Sequence, residues 1–338
     1  MKKKILKFLN IVFLILGFAI LFFIGQKIGW EVILEKSMSI HIGGFIIILI
    51  LPLVWIFLHS FGWFLLLDDR KKFRFRNFFG AQISSTAVSE ILPMGQASGE
   101  PYRILYVRRK YSGEHSPNII ASIILYNTIH SFATGLLITS GFFLILTLLN
   151  VGFYKKIIAI GMIVLGFAVL FYFIQKQKKG LLAAVFSIMG KFKIFKKFVE
   201  RKKDKADQVD TRLKKFYQSH RSTFYLALII IFIAKIMGAV EFYIIMYFIN
   251  EPISFLTAVI VFAGNSVVQL LFFFFPAQIG ASEGSIVYLF SVLGKSTVSG
   301  ITLALFRRIR VLAWTLVGFI IAYLYGPKMK LLDKKKDE

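Results

Sequence analysis

The sequence predicts an all-α integral membrane protein, a polytopic helical bundle that contains two re-entrant hairpins of opposite orientation. Three observations lead to this fold class. The 338 residues are 57% hydrophobic, and their mean hydropathy of +0.73 lies far above that of an average soluble domain. Several apolar runs reach the roughly 20 residues that cross a bilayer core. Two further apolar stretches are interrupted by proline, glycine and glutamate.

The uninterrupted apolar runs are expected to be spanning helices because of their length. The first run follows three lysines, as a signal peptide does, but no A-x-A-like cleavage site follows it, so we expect a retained helix. The predicted spans are Ile5–Ile24, Ile42–Leu67, Ile119–Leu149, Ile157–Ile174, Phe224–Ile249 and Val311–Tyr325.

The net charge of +25 is concentrated in segments that flank the apolar runs. Such a distribution is typical of the positive-inside bias and of attraction to anionic head groups, so no nucleic-acid partner is expected. With these segments inside, both termini are cytoplasmic and the protein is a multi-pass protein of the plasma membrane. The basic segments are Lys2–Lys7, Arg70–Arg76, Arg103–Lys110, Lys176–Arg221 and Lys328–Lys336.

The stretch from about 78 to 110 is predicted to enter and leave the membrane on one side. A single crossing would place the basic segment that begins at Arg103 outside, against the positive-inside rule. The stretch from about 255 to 293 is expected to do the same from the opposite side. Proline and glycine provide the breaks that a hairpin tip needs. The expected break residues are Pro93, Gly95 and Gly99 in the first hairpin and Pro276, Gly280 and Gly284 in the second.

The two broken stretches share a layout that indicates an inverted repeat. Pro93 precedes Glu100 by seven positions, and Pro276 precedes Glu283 by the same seven. Paired broken helices of opposite orientation typically meet near the bilayer midplane and form a substrate site. The alternative is two unrelated kinks that only help helices to pack.

Three parts of the chain follow from this topology. Residues 1–174 form a first membrane half with the hairpin at about 78–110, and residues 222–338 form a second half with the hairpin at about 255–293 and a basic tail. Residues 175–221 are a basic cytoplasmic linker whose interleaved apolar residues favour an interfacial amphipathic helix over a solvated linker.

Two segments, "SEILPMGQASGEPYRILYVRR" and "FFFFPAQIGASEGSIVYLFSVLG", resemble the signature stretches of the lysylphosphatidylglycerol synthase transmembrane region, also described as a flippase-like domain family. The resemblance implies two re-entrant hairpins that face each other. The better-known members move an aminoacylated phospholipid between leaflets, and larger relatives add a soluble aminoacyl-transferring domain. That domain is expected to be absent here, because the chain ends soon after its last apolar run.

One segment departs from the family pattern. Where many relatives carry an acid–arginine pair and a further acid, this chain reads "LYNTIHSFATG", with Tyr126, Asn127 and His130. If those charges contact the head group in relatives, the substrate of this chain differs.

Charged residues at membrane depth are costly and indicate a functional cavity. Arg103 lies one helical turn after Glu100, so the two are expected to share a face, and an arginine can bind phosphate through two hydrogen bonds. The glutamates are expected to balance charge and hold any cationic head group, or else only to cap helices. Arg307 and its neighbours either line a cavity or reach outer phosphates. The candidate substrate-binding residues are Glu100, Arg103, Glu283, Arg307, Gln96 and Gln278.

Lipid translocation by a flippase or scramblase-like transporter is the predicted function, with membrane lipids that bear phosphate head groups as partners. No cofactor, metal or nucleotide is expected, and oligomerisation is left open. The alternatives are an embedded lipid-modifying transferase, with a glutamate as general base, and a non-transporting partner of a lipid synthase. Lys235 and Glu241, six positions apart and so about 120° apart around a helix, are expected not to pair with each other.

Overall fold

The computed structural model describes residues 40–92, 95–111, 116–148, 193–275 and 278–326, with isolated positions at 26, 31 and between 154 and 175. Every regular element within these ranges is helical and none is a strand, which confirms the predicted all-α class. The predicted first span, the basic tail, Pro93 and Pro276 lie outside the described residues, as does the side chain of Gln96.

Ten α-helices are described, and a short 3-10 turn follows the second. Pro52 occupies the first position of α2, where proline is well tolerated because its missing N–H would have no partner. The helices are α1 Ile42–Ile50, α2 Pro52–Leu65, α3 Phe75–Ile91, α4 Gln96–Arg108, α5 Ser116–Leu148, α6 Lys193–Ser219, α7 Arg221–Phe248, α8 Phe255–Leu271, α9 Ala281–Val292 and α10 Thr297–Tyr325.

Three segments within the described ranges are long and apolar enough to cross a membrane. They are Ile42–Leu65, which joins α1 to α2, Ser116–Thr147 in α5, and Arg221–Phe248 in α7. These three correspond to predicted apolar runs. The protein is therefore a helical membrane protein, as its hydropathy indicates.

Two apolar cores lie at opposite ends of α7. Ala227 and Ile231, near its beginning, belong to a core that includes Trp63 of α2. Phe242, near its end, belongs to a second core that includes Phe290 of α9. The stretch of α7 between the two cores carries the charged residues Lys235 and Glu241. A polar layer therefore separates the two cores.

Helices α3 and α4 form one helical hairpin, which begins and ends in the first core at Phe78 and Tyr106. Its break is at Gly95, whose φ of 52° is a left-handed value that glycine adopts without strain. Gly99 lies within α4 instead of at the break. A Cβ there would overlap the Ser89 hydroxyl and the Ser85 carbonyl, so glycine lets the two helices approach closely.

Helices α8 and α9 form the second hairpin, which packs into the second core through Val261 and Phe290. Gly280 precedes α9 with a φ of 82°, again a conformation that favours glycine. Gly284 lies in the first turn of α9, where its N–H bonds to the Gly280 carbonyl. Of the four predicted break glycines, two immediately precede helices and two lie inside helices.

The described part of the basic linker forms a helix, α6, and the described side chains of the second half of α6 pack onto the bundle. Leu213 and Phe216 are buried in the first core. Arg212 and Lys215 lie 3.6 and 3.7 Å from the carboxylate of Asp68, just after α2. Residues 193–219 of the linker are therefore helical, and the apolar side of the second half of this helix is covered by protein.

Candidate functional site

A cavity of about 210 Å³ lies in the polar layer between the two cores. Residues of α2, α3, α4, α5, α7, α8 and α10 and both hairpin breaks contribute to its walls. Four cations, Arg103, Lys235, Arg307 and Arg310, line it together with polar and aromatic side chains. The cavity therefore collects residues from nearly every described helix of the bundle.

The breaks of the two hairpins meet at this cavity. A Cβ placed on Gly95 would lie 3.6 Å from the backbone carbonyl oxygen of Phe273 and 3.7 Å from Nε2 of Gln278. That Nε2 atom donates a hydrogen bond of 3.0 Å to the carbonyl oxygen of Gln269, at the end of α8. Gln278 has a φ of 51°, unusual for a residue with a side chain. The predicted binding residue Gln278 thus stands where the breaks converge.

Arg103 of α4 is nearly buried and held from several sides. Its Nη1 atom lies 2.9 Å from Oε1 of Glu100, and its Nε donates to the hydroxyl of Ser85 over 3.2 Å. Its guanidinium carbon also lies 5.2 Å from the ring centre of Trp63 and 5.0 Å from that of Tyr126. Glu100 and Arg103 thus lie on one face of α4, as their spacing predicts. Only the arginine lies on the cavity wall.

Arg307 of α10 contacts the second hairpin through a hydroxyl. Its Nη1 donates to Oγ of Ser282 over 2.7 Å, and that hydroxyl donates to Oδ1 of Asn265 over 2.8 Å. Ser285 donates to the same oxygen over 2.9 Å. Arg307 therefore lines the cavity with its charge offset by neutral dipoles and not by an adjacent carboxylate.

Glu283 lies behind the cavity wall. One of its oxygens accepts a hydrogen bond of 2.7 Å from the N–H of Gly280, and the other accepts one of 2.8 Å from Nε of Arg308. Only 1% of its side chain is exposed. Glu283 therefore caps α9 and binds Arg308, as in the capping alternative. It is the third residue of α9, whereas Glu100 is the fifth of α4, so the matched seven-residue spacing does not give them equivalent places.

Arg310 and Glu241 form a buried ion pair with two hydrogen bonds. Arg310 Nε lies 2.8 Å from Oε1 of Glu241, and its Nη2 lies 2.9 Å from Oε2. The pairing agrees with the expectation that Glu241 does not bind Lys235. Lys235 lines the cavity about halfway along α7.

One wall of the cavity combines imidazole and phenol groups from α2 and α5. The Tyr126 hydroxyl lies 3.1 Å from Nδ1 of His59, and the rings of His59 and His130 are 5.4 Å apart between centres. Tyr126 and His130 belong to the segment that departs from the family pattern. Sequence reasoning did not connect His59 or Lys235 with that segment, since they lie on other helices and carry no local signal.

No group of three or more histidine, aspartate and glutamate side chains suited to a metal ion is present in the described ranges. The cavity wall carries four cations and two carboxylates, Glu90 and Glu241, and arginine side chains are suited to binding an oxyanion such as phosphate.

Comparison with known proteins gives one family. No curated protein and no solved structure matches the chain. The sequence model described as "Lysylphosphatidylglycerol synthase TM region" matches residues 9–318, which include both hairpins and the whole cavity. The chain therefore belongs to the lysylphosphatidylglycerol synthase transmembrane-region family.

Proposed function

We propose that this protein moves a phospholipid or a related polar lipid between the two leaflets of the membrane. The head group would cross through the cavity between the hairpins while the acyl chains stay in the hydrocarbon. Transport would be driven by a lipid gradient or an ion gradient. The family is related to membrane lipids, and the observation that carries the proposal is the cation-lined cavity at the point where the two hairpin breaks meet.

The proposal requires two re-entrant hairpins that enter from opposite faces as an inverted repeat. Support comes from the two apolar cores. The open end of the α3–α4 hairpin packs in the first core, and α8 and α9 pack in the second. The breaks then converge between the cores, as expected if each hairpin ends near the bilayer midplane. Broken backbone at this depth is tolerated where it lines a water-filled cavity.

In the proposed mechanism Arg103 and Arg307 bind the lipid phosphate from the two sides of the cavity. Both are fixed in place, Arg103 by Glu100 and Ser85 and Arg307 by Ser282. Glu100 and Glu283 balance charge from behind the wall. Gln278, and Gln96 at the start of α4, would add amide groups at the hairpin breaks. A polar path of this kind lowers the cost of taking a charged head group through the hydrocarbon.

Head-group exchange in vesicles reconstituted with the full chain tests this function. Wild-type protein should accelerate transfer of phosphatidylglycerol between leaflets. Arg307→Gln should slow it about tenfold or more, since a hydrogen bond to a charged group contributes about 1.5–3 kcal/mol. Lys295→Gln removes an exposed cation outside the cavity and serves as the matched control.

Three results would count against translocation. Wild-type vesicles could exchange lipid no faster than protein-free vesicles. Arg307→Gln and Lys295→Gln could behave alike. A chemically new lipid could also form in the same vesicles, which would favour the transferase alternative.

A further inference from the structure

We infer that the cavity selects lipids with a net-negative head group over lipids whose head group carries net positive charge, and that Lys235 determines this selectivity. The inference rests on the proposed function and names the substrate class of the same cavity. It is argued from the charges on the wall, the partners of those charges and the side chains around Lys235.

The cavity wall carries more positive than negative charge. Arg103, Lys235, Arg307 and Arg310 line it, and the carboxylates on the wall are Glu90 and Glu241. Counting Glu100, which binds Arg103 from behind the wall, four cations face three carboxylates, which leaves one net positive charge.

Two of these cations have no carboxylate within ion-pair distance among the residues that the structure describes. Glu100 neutralises Arg103, and Glu241 neutralises Arg310. Within the described part of the chain, neither Lys235 nor Arg307 forms an ion pair with a carboxylate. Both side chains are half-buried, so each charge has lost part of its contact with water without gaining a counterion, which is costly. An anionic head group that reached both would remove that cost, so the empty site favours an anion.

No carboxylate of the described residues lies within ion-pair distance of Lys235. His59 and His130 interact electrostatically with Lys235, and Tyr126 is hydrogen-bonded to His59; none of the three is a carboxylic acid. Helix α8, which closes the cavity from the next side, has no ionisable side chain. An ammonium group placed here would meet a like charge and no counterion.

Glu90 does not provide a site for an ammonium group either. Its nearest charged neighbours are guanidinium groups of α10, and they include Arg307 and Arg308. These positive charges around the carboxylate of Glu90 repel any further cation that approaches it. An aminoacylated head group would therefore meet repulsion from Lys235 and from the guanidinium groups of α10, whereas an anionic head group would be attracted by both.

Lipid binding to the purified full chain tests the inference without requiring transport. The probes are phosphatidylglycerol, with net charge −1, phosphatidylethanolamine, which is neutral, and lysyl-phosphatidylglycerol, with net charge +1. Their relative affinities are measured by competition in native mass spectrometry. We expect phosphatidylglycerol to bind at least tenfold more tightly than lysyl-phosphatidylglycerol, with phosphatidylethanolamine between them.

Variants of Lys235 test whether this residue determines the lipid preference. Lys235→Gln should reduce the preference several-fold, and Lys235→Glu should abolish or reverse it, whereas Lys295→Gln should leave it unchanged. Each variant is first checked for a monodisperse elution profile, and the wild-type ratio decides the question if a variant does not fold.

Equal or tighter binding of lysyl-phosphatidylglycerol to the wild type would overturn the inference, as would failure of all three lipids to bind. If a folded Lys235→Glu protein kept the wild-type ratio of lipid affinities, Lys235 would not determine the selectivity. If the protein bound phosphatidylglycerol preferentially but did not exchange lipid between leaflets, the proposed function would be wrong and the inferred selectivity would still hold.

Discussion

The ion pair between Glu241 of α7 and Arg310 of α10 joins two helices in the polar layer. The pair has two hydrogen bonds of 2.8 and 2.9 Å, and its side chains are 3% and 9% exposed. The guanidinium carbon of Arg310 also lies 5.9 Å from the ring centre of Trp55. Removing either partner leaves the other as a buried charge without its counterion.

The expected magnitude follows from that burial. Breaking a buried pair by removing one partner costs about 3–5 kcal/mol, whereas replacing both by apolar residues of similar volume is nearly neutral. Glu241→Met and Arg310→Met should therefore each destabilise the protein by about that amount. The double variant should lose far less than the sum of the two, with a coupling free energy of more than about 2 kcal/mol.

Reversible unfolding in mixed micelles, followed by tryptophan fluorescence, measures these free energies. The tryptophan at 55 beside the pair provides a local signal, and protein variants are compared at a fixed detergent composition. Additive costs in the double variant would refute the reasoning. So would a loss of less than about 1 kcal/mol in either single variant, because that would mean that water already compensates the charges.

Two further predictions concern packing. Gly99→Ala should cost about 1–3 kcal/mol and loosen the first hairpin, because its Cβ would overlap the Ser89 hydroxyl, whereas Gly43→Ala, with no atom within 4 Å, should change little; equal melting temperatures would contradict this. Leu213→Ala should cost about 2–5 kcal/mol and expose α6 to protease, because Leu213 is fully buried. Lys214→Ala, at an exposed neighbouring position, is the control, and equal cleavage rates would show that α6 does not depend on this contact.

The described helices and the break glycines Gly95 and Gly280 could be predicted from the sequence because both have local causes. Hydropathy over Phe224–Ile249 predicts a span, and the structure has α7 at Arg221–Phe248. Glycine tolerates left-handed backbone, and Gly95 and Gly280 adopt it at the breaks. A pattern of this kind needs no knowledge of the rest of the fold.

The partners in the site could not be predicted, since they depend on contacts between distant parts of the chain. The three arginines of α10 are close in sequence, but successive helical residues point about 100° apart. Arg307 therefore reaches Ser282, Arg308 reaches Glu283 and Arg310 reaches Glu241. Hydropathy and charge alone did not decide whether these three residues line a cavity or reach phosphates at the membrane surface.

The repeated proline–glutamate spacing illustrates the same limit. It directed attention to both hairpins, but α4 begins four residues before Glu100 and α9 begins two before Glu283. The two glutamates therefore bind different groups. Equal spacing along the chain does not fix equal positions on a helix when the breaks differ in length.

A structure of the protein in nanodiscs that contain phosphatidylglycerol tests the central claim most directly. The account predicts lipid density whose phosphate lies within hydrogen-bond distance of Arg103 and Arg307, with both hairpins returning to the face from which they enter. A cavity closed to both leaflets and empty of lipid, or either hairpin resolved as a complete crossing, would contradict it.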